Sequence, residues 1–212
     1  MIKYAYKTVR FILYPIIFLA DFMQNTFTKI FTPMNLGPVS SPIYARNIKK
    51  NFKKNDYVLD FGCGAGFFSV IFEKKKYLGV EINKNFVDTA KQKYKKYNFR
   101  VLNENCLNGY KNKITAVFIN NVVHHLSDQQ IDDMFTFFKK KLSRKIKFFI
   151  IEPEFPHTFF SLQFFMKALD IGNNIKTKNE YLKIFKKYLL IKSCKIKKVG
   201  IGHAVYVKAV LK

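Results

Sequence analysis

Val58-Leu59-Asp60-Phe61-Gly62-Cys63-Gly64-Ala65-Gly66-Phe67-Phe68 reads as a short apolar strand, a glycine-rich turn and the opening of a helix. A turn of this kind lets backbone N–H groups and a helix N-terminus approach a ligand closely. The dinucleotide fingerprint is G-x-G-x-x-G. Gly62 and Gly64 fit it, but the third position falls on Phe67 and the extra glycine is Gly66. Asp60 stands two residues before the first glycine. A carboxylate there suits a cationic amino or sulfonium group better than a diphosphate.

Outward from this run the pattern alternates. Strands are expected at Tyr57–Phe61, Tyr77–Glu81, Phe99–Leu102, Ala116–Asn120 and Ile146–Ile151. Between them, Gly66–Phe72 reads as a helix start. Lys84–Tyr97 reads as a helix with Phe86, Val87, Ala90, Tyr94 and Tyr97 on one face. Ser127-Asp128-Gln129-Gln130 and Thr177-Lys178-Asn179-Glu180 are capping boxes that open two further helices, the second running to Leu189. Ile191–Val199 and Ala204–Leu211 read as a closing hairpin joined through Gly200 and Gly202. Strands alternating with helices predict an α/β fold: a doubly wound, Rossmann-like seven-stranded sheet with an antiparallel C-terminal strand.

The run Val58–Gly66 resembles motif I of the class I S-adenosylmethionine-dependent methyltransferases, V-L-D-x-G-C-G-x-G. The antiparallel last strand beside the fifth is what that resemblance implies, over about residues 43–212. It implies an enzyme whose cofactor is S-adenosyl-L-methionine. Gly62, Cys63, Gly64 and Gly66 would bring backbone close to its methionine and ribose parts, and Asp60 would face the amino group. Glu81 ends the second strand, where an acid can accept from both ribose hydroxyls, and Ile82 would lie against adenine. In Glu104-Asn105-Cys106-Leu107, Asn105 stands where the family often has an Asp that accepts from the adenine amino group; an amide oxygen can accept the same bond. Asn120, after the fourth strand, would lie near the reactive methyl. Asn120-Asn121-Val122-Val123-His124-His125-Leu126 resembles the segment of small-molecule methyltransferases in this class, although Ala116 replaces the Asp that usually begins the strand.

His124, His125 and Glu152 are the candidate catalytic residues. Histidine titrates near neutral pH and can act as a general base, and Glu152 follows the fifth strand at the mouth of the site. The competing reading packs one histidine under the following helix. Phe155–Ile175 is rich in aromatic residues; it reads either as a cover over an apolar acceptor or as core.

Composition leaves the partner open. The formal charge is +24, from 38 Lys+Arg against 14 Asp+Glu. That excess favours nucleic acid or anionic lipid as partner. Yet only Arg10, Arg46, Arg100 and Arg144 are arginine, and the abundance of Lys, Asn, Ile and Phe is also what AT-rich coding gives. Three cysteines without a C-x-x-C pair argue against a disulfide framework or a zinc site and fit a reducing cytoplasm. Residues 1–42 read as an apolar helical extension and linker before a domain over 43–212. Lys3, Lys7 and Arg10 precede the uncharged run Phe11–Ala20, which is too short to span a bilayer. It reads either as an interfacial segment on the inner membrane face or as a helix packed on the domain.

The leading expectation is therefore O- or C-methylation of a small-molecule or lipid-like acceptor. An RNA or DNA methyltransferase is the alternative, weakened because no [N/D]-P-P-[Y/F] segment follows the fourth strand to stack a flipped base. A non-catalytic membrane-associated module keeping the fold is the third.

Overall fold

A computed structural model describes residues 42–143, 145–155, 174–199 and 202–212. The expected extension before Pro42, nearly all of the aromatic Phe155–Ile175 segment and the Gly200-Ile201 turn lie outside the described residues. Helix α1 (Pro42–Lys49) leads into β1 (Val58–Phe61), β2 (Tyr77–Glu81), α2 (Lys84–Lys93), β3 (Asn98–Val101) and β4 (Ala116–Asn120). Then follow α3 (Asp128–Lys141), β5 (Lys147–Pro153), α4 (Lys178–Tyr188), β6 (Leu189–Val199) and β7 (Gly202–Leu211).

The seven strands make one sheet in the order β3-β2-β1-β4-β5-β7-β6. The first five are parallel, and β7 runs antiparallel between β5 and β6. Four short parallel strands buried on both sides need helices on both faces. On one face α3 packs Ile131, Met134, Phe135 and Phe138, and α4 packs Tyr181 and Phe185. On the other, α1 supplies Ile48 and α2 supplies Val87 and Ala90. The second face is strongly aromatic: Phe118 lies against Phe52, Phe68, Phe72 and Phe149 with ring centroids 5.6–6.1 Å apart. Such pairs add about 0.5–1.5 kcal/mol each beyond area burial.

Both expected capping boxes are formed, Ser127 with Gln130 and Thr177 with Glu180. At the N-terminal edge of the sheet, Lys147 Nζ donates to both Asp56 oxygens at 2.5 and 2.7 Å, and the Thr115 hydroxyl donates to Oδ1 at 3.1 Å. This clamp ties the entries of β1, β4 and β5 together.

Two elements differ from expectation. The glycine turn opens no α-helix: Phe67–Ile71 is a 3₁₀ turn, entered by Gly66 at φ 80° and left at Phe72 in extended conformation. Aromatic and β-branched residues dominate this stretch and favour helix weakly. Phe68 and Phe72 both turn into the aromatic face. Thus no α-helix N-terminus follows the turn, and α2 ends at Lys93 with the Tyr94 N–H donating to the Ala90 carbonyl, short of Tyr97.

Candidate functional site

The chain runs β1, β2, β3 toward one edge and then returns to β4 on the far side of β1. In an open parallel sheet such a reversal leaves a crevice beyond the carboxyl ends of the two central strands. The glycine turn after β1 and the Asn120–Leu126 segment after β4 border it.

The turn is fastened to β2. The N–H groups of Gly62 and Cys63 donate to the Val80 carbonyl at 2.8 and 3.2 Å. Gly62 and Gly66 have positive φ, and each has a packing reason to lack a side chain. A Cβ on Gly62 would meet Val122 Cγ2 at 2.4 Å, and one on Gly66 would meet Phe99 at 2.8 Å. Gly64, at φ 52°, has nothing within 4 Å of its Cβ position. Of the three glycines in this turn, Gly64 is the one that borders open space.

Glu81 braces this loop. Its Oε2 accepts from the Gly64 N–H and its Oε1 from the Asn83 N–H, both at 3.0 Å. Each carboxylate oxygen retains capacity for another donor. Ile82, the next residue, is 74% exposed, unusual for a large apolar side chain beside a crevice. Asp60 is buried, and its Oδ2 accepts from the Tyr77 hydroxyl at 2.7 Å. Burial raises the Asp60 carboxyl to about 7; the Tyr77 bond opposes that rise and the Glu81 charge adds to it. Cys63 is buried between these acids. Burial, then Asp60 and Glu81, push its thiol well up, which leaves it protonated and unreactive.

Beyond β4, Glu152 organises the chain. Its Oε1 accepts from the N–H groups of Val122 and Val123 at 3.0 and 2.8 Å. Its Oε2 accepts from the His124 N–H at 3.3 Å and lies 2.8 Å from His124 Nδ1. Both side chains are buried. An acceptor-only carboxylate fixes Nδ1 as the donating nitrogen of that ring. His125 is exposed, with its ring centroid 4.0 Å from that of His124. Asn120 Oδ1 is buried without a hydrogen-bond partner, and Asn121 takes φ 56°, a left-handed turn that Asn tolerates.

The structure thus brings Asp60, Gly62, Cys63, Gly64, Gly66, Glu81 and Ile82 to one end of β1 and β2, and Asn120, His124, His125 and Glu152 to the same end of β4 and β5. Asn105 is exposed in the turn after β3, where its Oδ1 accepts from Asn108 Nδ2 at 3.3 Å. Cys106 has its side chain in the core and its carbonyl accepting from Arg100 at 3.0 Å. Sequence reasoning missed Tyr77 and Gly79. A tyrosine opening a buried strand needs a hydroxyl partner, which was the available signal for Tyr77. Gly79 leaves room for Cys63: a Cβ there would meet Cys63 Sγ at 2.8 Å and Phe99 Cδ1 at 2.6 Å.

Residues 58–145 match the methyltransferase domain family model. Over those residues the chain is similar to the methyltransferases of that family. Solved structures share the fold. A Pyrococcus horikoshii OT3 protein is 18% identical with a TM-score of 0.63, covering 88% of this chain and 99% of that one. Geranyl diphosphate C-methyltransferase from Streptomyces coelicolor A3(2) is 16% identical with a TM-score of 0.59, covering 79% of each chain. Among curated proteins, ribosomal RNA small subunit methyltransferase A of Mesomycoplasma hyopneumoniae strain 232 is 30% identical over 90 residues. That match spans 41% of this chain and 35% of the relative's length.

The cofactor of this family is S-adenosylmethionine, and the residues of the methyltransferase domain fit it. Two carboxylates suit a sulfonium and an amino group, the open Gly64 leaves backbone accessible, and Asn120 offers a buried acceptor without a partner. Among the described residues no helix is long and apolar enough to cross a membrane.

Proposed function

We propose that this protein transfers the methyl group of S-adenosylmethionine to oxygen or carbon of a small-molecule or lipid-like acceptor. The supporting observation is the Glu152 clamp. It folds the segment after β4 into a 3₁₀ turn that presents His125, with neither proline nor a flat aromatic to receive a flipped base.

The cofactor supplies an electrophilic methyl on sulfur. Asp60 and Glu81 would offset its positive charge and accept from its amino and ribose hydroxyl groups, while Gly62, Cys63, Gly64 and Gly66 would contribute backbone. Ile82 would cover its adenine, and Asn105 and the Cys106 backbone would hold the edge of that ring. Asn120 borders the reacting end. His125 takes a proton from an acceptor hydroxyl where one must be removed. His124 and Glu152 hold the turn that carries His125.

A second reading, RNA methylation, has the +24 charge and the ribosomal RNA methyltransferase relative in its favour. Transfer of labelled methyl from S-adenosylmethionine to separate lipid, small-molecule and RNA extracts decides between them. Label in lipid or small molecules supports the first reading, and label confined to RNA replaces it. Calorimetry without S-adenosylhomocysteine binding would remove both in favour of a non-catalytic module.

A further inference from the structure

The C-terminal hairpin carries charge that the cofactor site does not use. Lys195 and Lys197 stand two apart on β6 and so share a face. Their partners on β7 are Tyr206 and Ala204, and Lys208 pairs with Ser193, which places it diagonally beside Lys195 on that face. Tyr206 and Ala204 belong to the aromatic side of the sheet, the side covered by α1. Lys197 Nζ lies 4.9 Å above the Tyr206 ring centroid. Lys50, just past α1, completes the group. Partial burial, then the charges of Lys50, Lys195 and Lys208, hold the Lys197 ammonium below its usual range. Among the described residues no carboxylate forms an ion pair with any of these four lysines.

Four ammonium groups from three elements, left without a counter-charge, call for a polyanion. The kind of polyanion follows from what the cluster lacks. It contains no guanidinium to grip phosphate bidentately. The ring beneath it, Tyr206, is only 7% exposed, so no aromatic face is offered to a base. Lipid headgroups need only point charges near a surface, each lysine contributing about fivefold in affinity. β6 is also the sheet edge, so this face is open along one side. The basic, then uncharged, sequence Lys3–Ala20 precedes α1 in the chain, and a basic patch joined to one apolar segment is the usual minimum for stable attachment.

We propose that Lys50, Lys195, Lys197 and Lys208 dock this protein on an anionic lipid surface. Lys197 is level with Ala204 and, through it, with Pro153. One end of the cluster therefore stands at the same end of the sheet as Glu152, and docking brings the crevice mouth near the lipid.

The test uses the full chain and co-sedimentation with vesicles of phosphatidylcholine alone or mixed with phosphatidylglycerol. Binding is expected only to the mixed vesicles and should weaken as salt rises. The triple variant Lys195→Gln/Lys197→Gln/Lys208→Gln should bind on the order of a hundredfold more weakly. An unchanged melting temperature and circular dichroism spectrum would certify its fold; should the variant misfold, Lys50→Gln alone is expected to weaken binding about fivefold. Equal binding to both vesicle types, or unchanged binding by the variants, overturns the proposal. So does tight binding of a single-stranded RNA oligonucleotide by wild type with none to mixed vesicles. These readouts do not depend on methyl transfer, so loss of the enzyme reading would leave them interpretable.

Discussion

The Tyr77 hydroxyl donates to Asp60 Oδ2 at 2.7 Å, joining β2 to β1 directly beneath the glycine turn. Burial raises Asp60 to about 7 and the tyrosine bond restrains that rise. A cationic cofactor favours the ionised carboxylate. Affinity for S-adenosylmethionine should therefore increase as pH rises from about 5.5 and level off above about 7.5, with proton release on binding below that plateau. Tyr77→Phe removes an interaction that favours the carboxylate, so the midpoint should move to higher pH. Calorimetry in buffers of different ionisation heat measures both effects; a pH-independent affinity would contradict them.

Glu81 holds the Gly64 and Asn83 N–H groups through separate oxygens. Glu81→Ala should weaken S-adenosylhomocysteine binding about ten- to a hundredfold, the worth of hydrogen bonds to a charged group. Direct titration checks this.

Gly62 and Gly64 should respond differently to alanine. Gly62→Ala strains a positive φ and drives a methyl into Val122, costing about 2–5 kcal/mol. Gly64→Ala strains φ without a clash, costing about 1–2 kcal/mol, yet it fills the space left for ligand. Melting curves with and without S-adenosylhomocysteine should show Gly64→Ala folded but insensitive to the ligand.

Glu152 accepts from three backbone N–H groups and faces His124 Nδ1 while fully buried. Glu152→Ala should cost about 3–5 kcal/mol of stability by leaving these donors unpaired. His125→Ala, at an exposed position, should change stability by less than about 0.5 kcal/mol while lowering turnover of a hydroxyl acceptor. Denaturant titrations separate the two; a Glu152→Ala protein of wild-type stability would return Glu152 to the proton-transfer candidates.

Asp56 lies in the Lys147 clamp. Burial alone would raise its carboxyl, but Lys147, the Lys53 N–H and Thr115 together hold it below its ordinary value. A depressed carboxyl contributes stability above its unfolded pKa, near 4, and loses it as pH falls through the folded value. Lys147→Met should flatten the loss of stability below about pH 4, as urea midpoints across that range would register.

Much of the fold was legible because its signals are local. Alternating apolar strands, two capping boxes and glycines at fixed spacing are properties of neighbouring residues. They located all seven strands and both capped helices to within a few residues. The helix expected after Gly66 was misread because its outcome is not local. Phe68 and Phe72 turn onto the Phe118 ring of β4, which itself stacks on Phe149 of β5, and that packing outweighs the apolar run's likeness to a helix start.

By itself the sequence determined the family motif, the sheet and the acids at the strand ends, because these follow from residue type and spacing along the chain. Tertiary structure alone decided what those residues touch. It set Tyr77 against Asp60, turned Glu152 and His124 toward each other across 28 residues, and gathered lysines from three elements onto one face. Such pairings depend on which strands lie side by side in space, and the order β1-β4-β5-β7 joins segments that the chain keeps far apart.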